Sequence, residues 1–253
     1  MRNIECVLAT DIDHTLTGDC EALKRLGAQL TMLRERGRLC LFLTTGRTLT
    51  EVLKGFEQEN IPHADGIISQ VGTEIYAPPF LPEMEPLQEW AALLHKQFSR
   101  KRAMEFLKGI ERAEIQPEHY NTPLKVSYYL DQTPDPEAAV KQIQQRTAKE
   151  RGAYQIVWSS GKHLDILPTA AGKANAIRFL IDFLQLTPQR VIAAGDSGND
   201  RSMLEEFDYG IVVANAQPEL KKLKDEKLRT FLYFAEKPFA AGVEEGLRQF
   251  GVL

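Results

Sequence analysis

Val7-Leu8-Ala9-Thr10-Asp11-Ile12-Asp13-His14-Thr15 is the stretch whose reading decides the fold. The apolar run reads as a buried strand over Cys6–Asp11. Strand ends in open α/β sheets are where such folds place their ligands. Residues i and i+2 of an extended chain point the same way, so Asp11 and Asp13 share one pocket. Their repulsion must then be relieved by a cation, a proton or both. One reading is a metal-assisted nucleophile, Asp11, that attacks phosphorus, with Asp13 as the acid that protonates the leaving oxygen. The other is a structural turn or cap.

Outward from this stretch, strands and helices alternate. Glu21–Arg36 reads as a helix, with Leu23, Leu26, Leu30 and Leu33 at helical spacing and Gly37 as its stop. Leu39–Thr45 reads as a strand, Thr48–Glu51 as a capping box, and Gly66–Val71 as a third strand leading into a hairpin that reaches Tyr76. The pattern breaks at Ala77-Pro78-Pro79-Phe80-Leu81-Pro82. Helices near 86–112 and 136–151 and strands near 124–130 and 154–167 follow, the last a hairpin turning at Gly161-Lys162. Alternation then resumes with a helix over Ala174–Leu186, a strand over Arg190–Gly195, a short helix over Ser202–Phe207, a strand over Tyr209–Ala214 and a final helix near 240–250. The fold class is α/β, a Rossmann-like parallel sheet with helices on both faces. Residues 1–80 and 168–253 form the core, and 81–167 form an inserted α+β unit.

Composition narrows the function. Of 253 residues, 43% are hydrophobic, enough for a sizeable core, and the net charge of −4 leaves no basic footprint for nucleic acid. Three cysteines, Cys6, Cys20 and Cys40, include no Cys-x-x-Cys pair, so a disulfide scaffold is not expected and a reducing cytoplasmic location is. No run reaches the roughly 20 apolar residues of a membrane span, and no leader is expected from Met1-Arg2-Asn3-Ile4-Glu5. The run Lys221–Lys227 reads as a solvated helix face.

Three further pieces sit at element ends. Thr44-Thr45-Gly46-Arg47 either caps a helix or offers a hydroxyl and N–H groups to an anion. Lys173, at a helix start, is either an exposed lysine or the cation that neutralises Asp11 and a phosphoryl group. Gly195-Asp196-Ser197-Gly198-Asn199-Asp200 is either a flexible turn or an oxygen-only metal site suited to Mg²⁺.

In this order the four pieces resemble the haloacid dehalogenase superfamily. The resemblance implies that Asp11 becomes an aspartyl-phosphate and that Thr45 and Lys173 hold the phosphoryl group. It implies Mg²⁺ on Asp11, the Asp13 carbonyl and Asp196, with Asn199 and Asp200 supporting the metal and Lys173. A carboxylate at Asp13 implies a phosphatase or phosphomutase rather than a dehalogenase. The size and position of the insertion resemble the large-cap branch. Val71–Tyr76, Lys125–Asp131, Ser159–Lys162, Asp165–Pro168 and Asn215–Glu219 are most similar to the sucrose-phosphate phosphatase family. That family commonly has an acidic residue where this chain has His163. The implied substrate is sucrose 6-phosphate, with mannosylfructose phosphate and a phosphomannomutase-like reaction as alternatives. Gly46, Arg47 and Asn199 join the substrate-binding set, and Asp200 the metal set. In the insertion, Lys162 at the hairpin tip and Asp165 are expected to read the sugar, with Lys125 a weaker candidate or a mere strand-edge lysine. A monomer is expected, and contact with sucrose-phosphate synthase is compatible with this reading.

Overall fold

The computed structural model describes residues 2–96, 98–150 and 152–253. Met1, and Gln97 and Arg151 within the expected helices 86–112 and 136–151, lie outside the described residues. The chain begins with β1 (Arg2–Thr10), α1 (Cys20–Glu35), β2 (Leu39–Thr44), α2 (Leu49–Gln58), β3 (Gly66–Ser69) and β4 (Glu74–Tyr76). It continues with α3 (Gln88–Leu94), α4 (Arg100–Glu105), β5 (Glu114–Ile115), β6 (Val126–Tyr129), α5 (Pro136–Thr147), β7 (Tyr154–Ser159) and β8 (His163–Pro168). It closes with α6 (Lys173–Phe183), β9 (Leu186–Gly195), α7 (Arg201–Glu206), β10 (Tyr209–Val212), α8 (Pro218–Lys221), β11 (Phe231–Phe234) and α9 (Phe239–Gln249).

The larger sheet has the order β11-β10-β9-β1-β2-β3-β4. All its pairings are parallel except β3 with β4. Cys6, Val7, Leu8 and Ala9 are all buried. Successive strand residues face opposite sides, so both faces of the sheet are covered, as parallel sheets require. Helix α1 supplies part of that cover. Asp19 caps it by accepting from the N–H groups of Glu21 and Ala22, and Leu23, Leu26, Leu30 and Leu33 are buried on one stripe. Each such leucine contributes on the order of 1.5–3 kcal/mol through burial. The capping box at Thr48 and Glu51 is formed, and it fixes the start of α2 right after the Thr45–Arg47 loop.

The second sheet has the order β5-β6-β8-β7 and is antiparallel. Ala103, Phe106, Val126, Leu130, Val140, Ile143, Leu164 and Ile166 make its separate apolar cluster. Helix α3 falls within 81–167 but packs on the first cluster through Trp90 and Leu94. Trp90 Nε1 also donates to the Gly72 carbonyl at 3.2 Å.

Several elements depart from the sequence reading. The stretch near 86–112 holds two short helices rather than one, because Ser99 starts α4 afresh by accepting from the Arg102 N–H. Strand β9 starts at Leu186, earlier than expected, through its pairing with the full length of β1. Strands β5 and β11 were not expected at all. The Lys221–Lys227 lysines are exposed, but Leu220 and Leu223 anchor that segment to the core. Among the described residues, no helix is long and apolar enough to cross a membrane.

Candidate active site

The C-terminal ends of β1, β2 and β9 meet where the strand order switches direction, with β1 between the other two. Asp11 follows β1, Thr45 follows β2 and Asp196 follows β9. The Asp11 N–H donates to the Ala194 carbonyl at 2.9 Å, which locks the two acidic strand ends side by side.

Lys173 is the first residue of α6 and is 0% exposed. Gly172, with φ +93°, turns the chain into the helix, and its backbone lies against Gly72, where an added Cβ would come within 2.4 Å. Only glycine at 72 permits that approach, and the positive φ at 172 favours glycine there. It delivers Lys173 beneath the strand ends. Its Nζ donates to Asp11 Oδ1 at 2.7 Å, Asp200 Oδ1 at 2.6 Å and the Thr44 carbonyl at 3.0 Å. An ammonium has three donors, and all three are used.

Asp11, Asp196 and Asp200 each offer an oxygen within 4.8 Å of the others. The second oxygen of Asp200 accepts from the Asp196 and Ser197 N–H groups at 2.9 and 3.1 Å. Thr15 Oγ1 donates to Asp196 Oδ1 at 3.3 Å. Three buried carboxylates face one buried ammonium, so the cluster carries uncompensated negative charge. Burial raises Asp11 well above the usual carboxylate range, Lys173 opposes this, and Asp200 and Asp196 add to it. Burial and the Asp200 charge push Asp196 up to about 7. Burial works against the Lys173 charge, but Asp11 and Asp200 hold its pKa above the ordinary lysine value. A cluster of hard oxygen donors with surplus negative charge fits a divalent cation such as Mg²⁺.

Asp13 lies beside this cluster and is held by Arg47, whose Nε and Nη2 reach its carboxylate at 3.0 and 2.7 Å. The same guanidinium pairs with Glu59 at 2.7 and 2.9 Å. Burial disfavours the Arg47 charge, and Glu59 and Asp13 outweigh it, so its pKa is raised. Arg47 is therefore neither a loose surface residue nor a vacant anion ligand. Thr45 is buried, and its Oγ1 accepts from the Arg47 N–H at 3.0 Å. The capping reading of this piece holds, and Gly46 and Arg47 line the cleft.

Above lies a cavity of about 390 Å³ between the two sheets. Asp11, Asp13, Asp196 and Asn199 line its lower side, and Gln116, Tyr120, Lys125, Tyr129, His163 and Asp165 its upper side. Lys125 is 2% exposed, with its Nζ 3.7 Å from Asp165 Oδ1, and burial pulls its pKa down. It is a buried cleft residue, not a strand-edge lysine. Lys162 is the reverse. Its side chain is 44% exposed, and its Nζ sits 3.7 Å from Asp131 and 4.8 Å from the ring centre of Tyr129, a cleft residue, although Lys162 is not itself part of the lining. Sequence reading missed Gln116, Tyr120 and Tyr129 as cleft residues. A larger surface cleft, about 460 Å³ beside α9, has its carboxylates occupied. Arg25, Gln29 and Arg248 hold Glu244, and Tyr233 holds Glu245.

The second sheet is fastened to the first on both flanks of the cavity. The Ser160 N–H donates to Glu219 Oε1 at 2.9 Å, and the Trp158 carbonyl lies 2.2 Å from where a Cβ on Gly198 would sit. Opposite, Tyr120 Oη donates to Glu51 Oε1 at 2.8 Å.

The family described as sucrose-6F-phosphate phosphohydrolase matches residues 4–251. The chain belongs to this family. Members' shared chemistry makes it a phosphoric monoester hydrolase of the haloacid dehalogenase superfamily, acting on a sugar phosphate. It is 33% identical to mannosylfructose-phosphate phosphatase of Agrobacterium fabrum, covering 97% of each chain. It is 31% identical to sucrose-phosphatase 1 of Nicotiana tabacum over 97% of its own length but spans only 59% of that protein. The sucrose-phosphatase of Synechocystis sp. PCC6803, solved with sucrose and phosphate, superposes with a TM-score of 0.88 at 30% identity, covering 98% of both chains.

Proposed function

We propose that the protein is a Mg²⁺-dependent phosphatase of a phosphorylated disaccharide, with sucrose 6-phosphate as the leading substrate and mannosylfructose phosphate as the alternative. The observation that carries this reading is the buried Lys173 bound at once to Asp11 and Asp200. A purely structural lysine has no need of a half-neutralised carboxylate at a cavity floor.

Lys173 occupies one oxygen of Asp11, which leaves the other to form a bond to phosphorus as the ester P–O bond breaks. Asp13, once it exchanges its Arg47 contact for a proton from solvent, gives that proton to the departing sugar oxygen, then takes one from the water that attacks the phosphoryl-aspartate and frees phosphate. Lys173, with its three donors engaged, supplies neutralising charge behind Asp11, and Thr45 and the N–H of Gly46 orient the phosphoryl oxygens. Mg²⁺, held by Asp11, the Asp13 carbonyl and Asp196, would supply further neutralisation of the phosphoryl charge. Asp200, with its oxygens already engaged, positions Lys173 and the Asp196 loop, and Asn199 borders the same site.

In this reading residues 81–167 act as a cap that excludes water and reads the sugar. Lys125 and Asp165 give the cap wall a buried donor and acceptor for sugar hydroxyls. The relatives named as phosphatases of disaccharide phosphates favour hydrolysis over a phosphomutase reaction. Asp11→Asn should fold with an unchanged or raised Tm and release no phosphate. Turnover above about 1% of wild type, a loss of only about 2.7 kcal/mol, would refute the nucleophile.

A further inference from the structure

We propose that Tyr120 is a positioning residue that couples a sugar held by the cap to the phosphate loop Thr45–Arg47. The proposal rests on the function given above. The short turn Glu118–Tyr120 meets the other sheet's segments at two points. Gln70 Nε2 donates to the His119 carbonyl at 2.8 Å, and Tyr120 Oη donates to Glu51 Oε1 at 2.8 Å. Both anchors are supports of the phosphate loop. The Gln70 N–H donates to the Arg47 carbonyl at 3.2 Å, and the Val71 N–H to the Thr45 carbonyl at 3.0 Å. Glu51 accepts from the Thr48 N–H at 2.7 Å, closing the box that starts α2 where the loop ends.

On its other side Tyr120 touches the sugar-reading wall. The Lys125 ammonium lies 5.7 Å from its ring centre. Ser127 Oγ lies 3.1 Å from the Tyr120 carbonyl and 2.5 Å from Asp165 Oδ1. Tyr120 thus stands between Lys125–Asp165 and Glu51. Its hydroxyl is committed to a carboxylate, a charge-assisted bond, so it is not a free ligand for substrate. The loop's second support is under strain. Val71, a β-branched residue, holds φ +59° beside Gln70 at φ +50°. Such conformations persist only where the surroundings enforce them. The two bonds from one cap turn are part of that enforcement, and they are made only when the cap sits as it does here.

Tyr120→Phe removes only the hydroxyl and keeps the ring. The expected result is a fall of about fivefold to tenfold in kcat/KM for the disaccharide phosphate, the scale of one hydrogen bond. For p-nitrophenyl phosphate, which offers the cap no second ring, the fall should stay below about twofold. In a Glu51→Ala background the Tyr120→Phe effect should vanish, because the two act as one unit. Equal losses on both substrates, or an undiminished effect in Glu51→Ala, overturn the proposal. Hydrogen exchange reads the coupling without turnover. Sucrose plus inorganic phosphate should slow exchange over residues 45–52 in wild type and not in Tyr120→Phe, and equal slowing in both also overturns it. A wild type silent toward every sugar phosphate refutes the function instead, whereas an active wild type with an unshifted substrate ratio in Tyr120→Phe refutes only the coupling.

Discussion

Lys173 Nζ lies 2.7 Å from Asp11 Oδ1, although 162 positions separate the two residues in the chain. The pair ties the end of β1 to the start of α6, since Asp11 follows β1 and Lys173 opens α6. The lysine is a counter-charge in a place where water cannot serve as one.

Removing that charge should therefore be costly twice over. Lys173→Met leaves Asp11 and Asp200 buried without a cation, and breaking a buried pair in this way costs about 3–5 kcal/mol. Adding Asp200→Asn should recover part of the lost stability but none of the activity. Denaturant unfolding and phosphate release on the single and double variants check this, and a Lys173→Met protein as stable as wild type contradicts it.

The metal reading has a thermal signature. Mg²⁺ at about a hundredfold over its Kd should stabilise the fold by about 2.7 kcal/mol relative to EDTA. Asp196→Asn should abolish most of that shift. A melting temperature indifferent to Mg²⁺ would contradict the site.

Asp196 also fixes a pH dependence. Its folded-state pKa of about 7 lies above its usual value of about 3.8, so the metal-free fold retains a proton that the unfolded chain loses first. The resulting stability is complete below about pH 4 and is lost as pH rises toward 7. Asp196→Asn mimics the protonated form. In EDTA the variant should match wild type near pH 5 and melt above it near pH 8. A difference that does not change with pH contradicts the assignment.

In the cap, Lys125→Met is expected to raise KM for the disaccharide phosphate about tenfold, on the scale of one charge-assisted hydrogen bond. Lys162→Ala should stay within about twofold, since its ammonium is exposed and pairs with Asp131. Steady-state kinetics on both variants decide between them, and a larger effect at Lys162 reverses the assignment.

The contrast between these two lysines shows what sequence could and could not disclose. Asp11, the Thr48–Glu51 box and Gly195–Asp200 were legible because their signals are local, a strand end, a cap and a turn. The parallel core was legible because β2 and the Cys6–Ala9 part of β1 are buried on both faces and read as apolar runs. The depth of Lys173 and Lys125 was not, because lysine is ordinarily exposed and the partners that bury it are remote in sequence. Lys162 sits on an evident hairpin tip, yet the direction of its side chain depends on Asp131 and Tyr129 from another strand connection. Strand β11, Phe231–Phe234, follows a lysine-rich segment and owes its state to pairing with β10. Arg47 was legible as a cleft residue, but its two carboxylates, Asp13 and Glu59, come from separate segments.

The central claim is that the cavity between the sheets hydrolyses one phosphorylated disaccharide. Phosphate release should be measured with Mg²⁺ and with EDTA on sucrose 6-phosphate, mannosylfructose phosphate, glucose 6-phosphate, fructose 6-phosphate and mannose 1-phosphate. The account predicts strong release from one disaccharide phosphate, lost in EDTA, and weak release from the monosaccharide phosphates. Comparable release from all five, or interconversion of mannose phosphates without release, would contradict it.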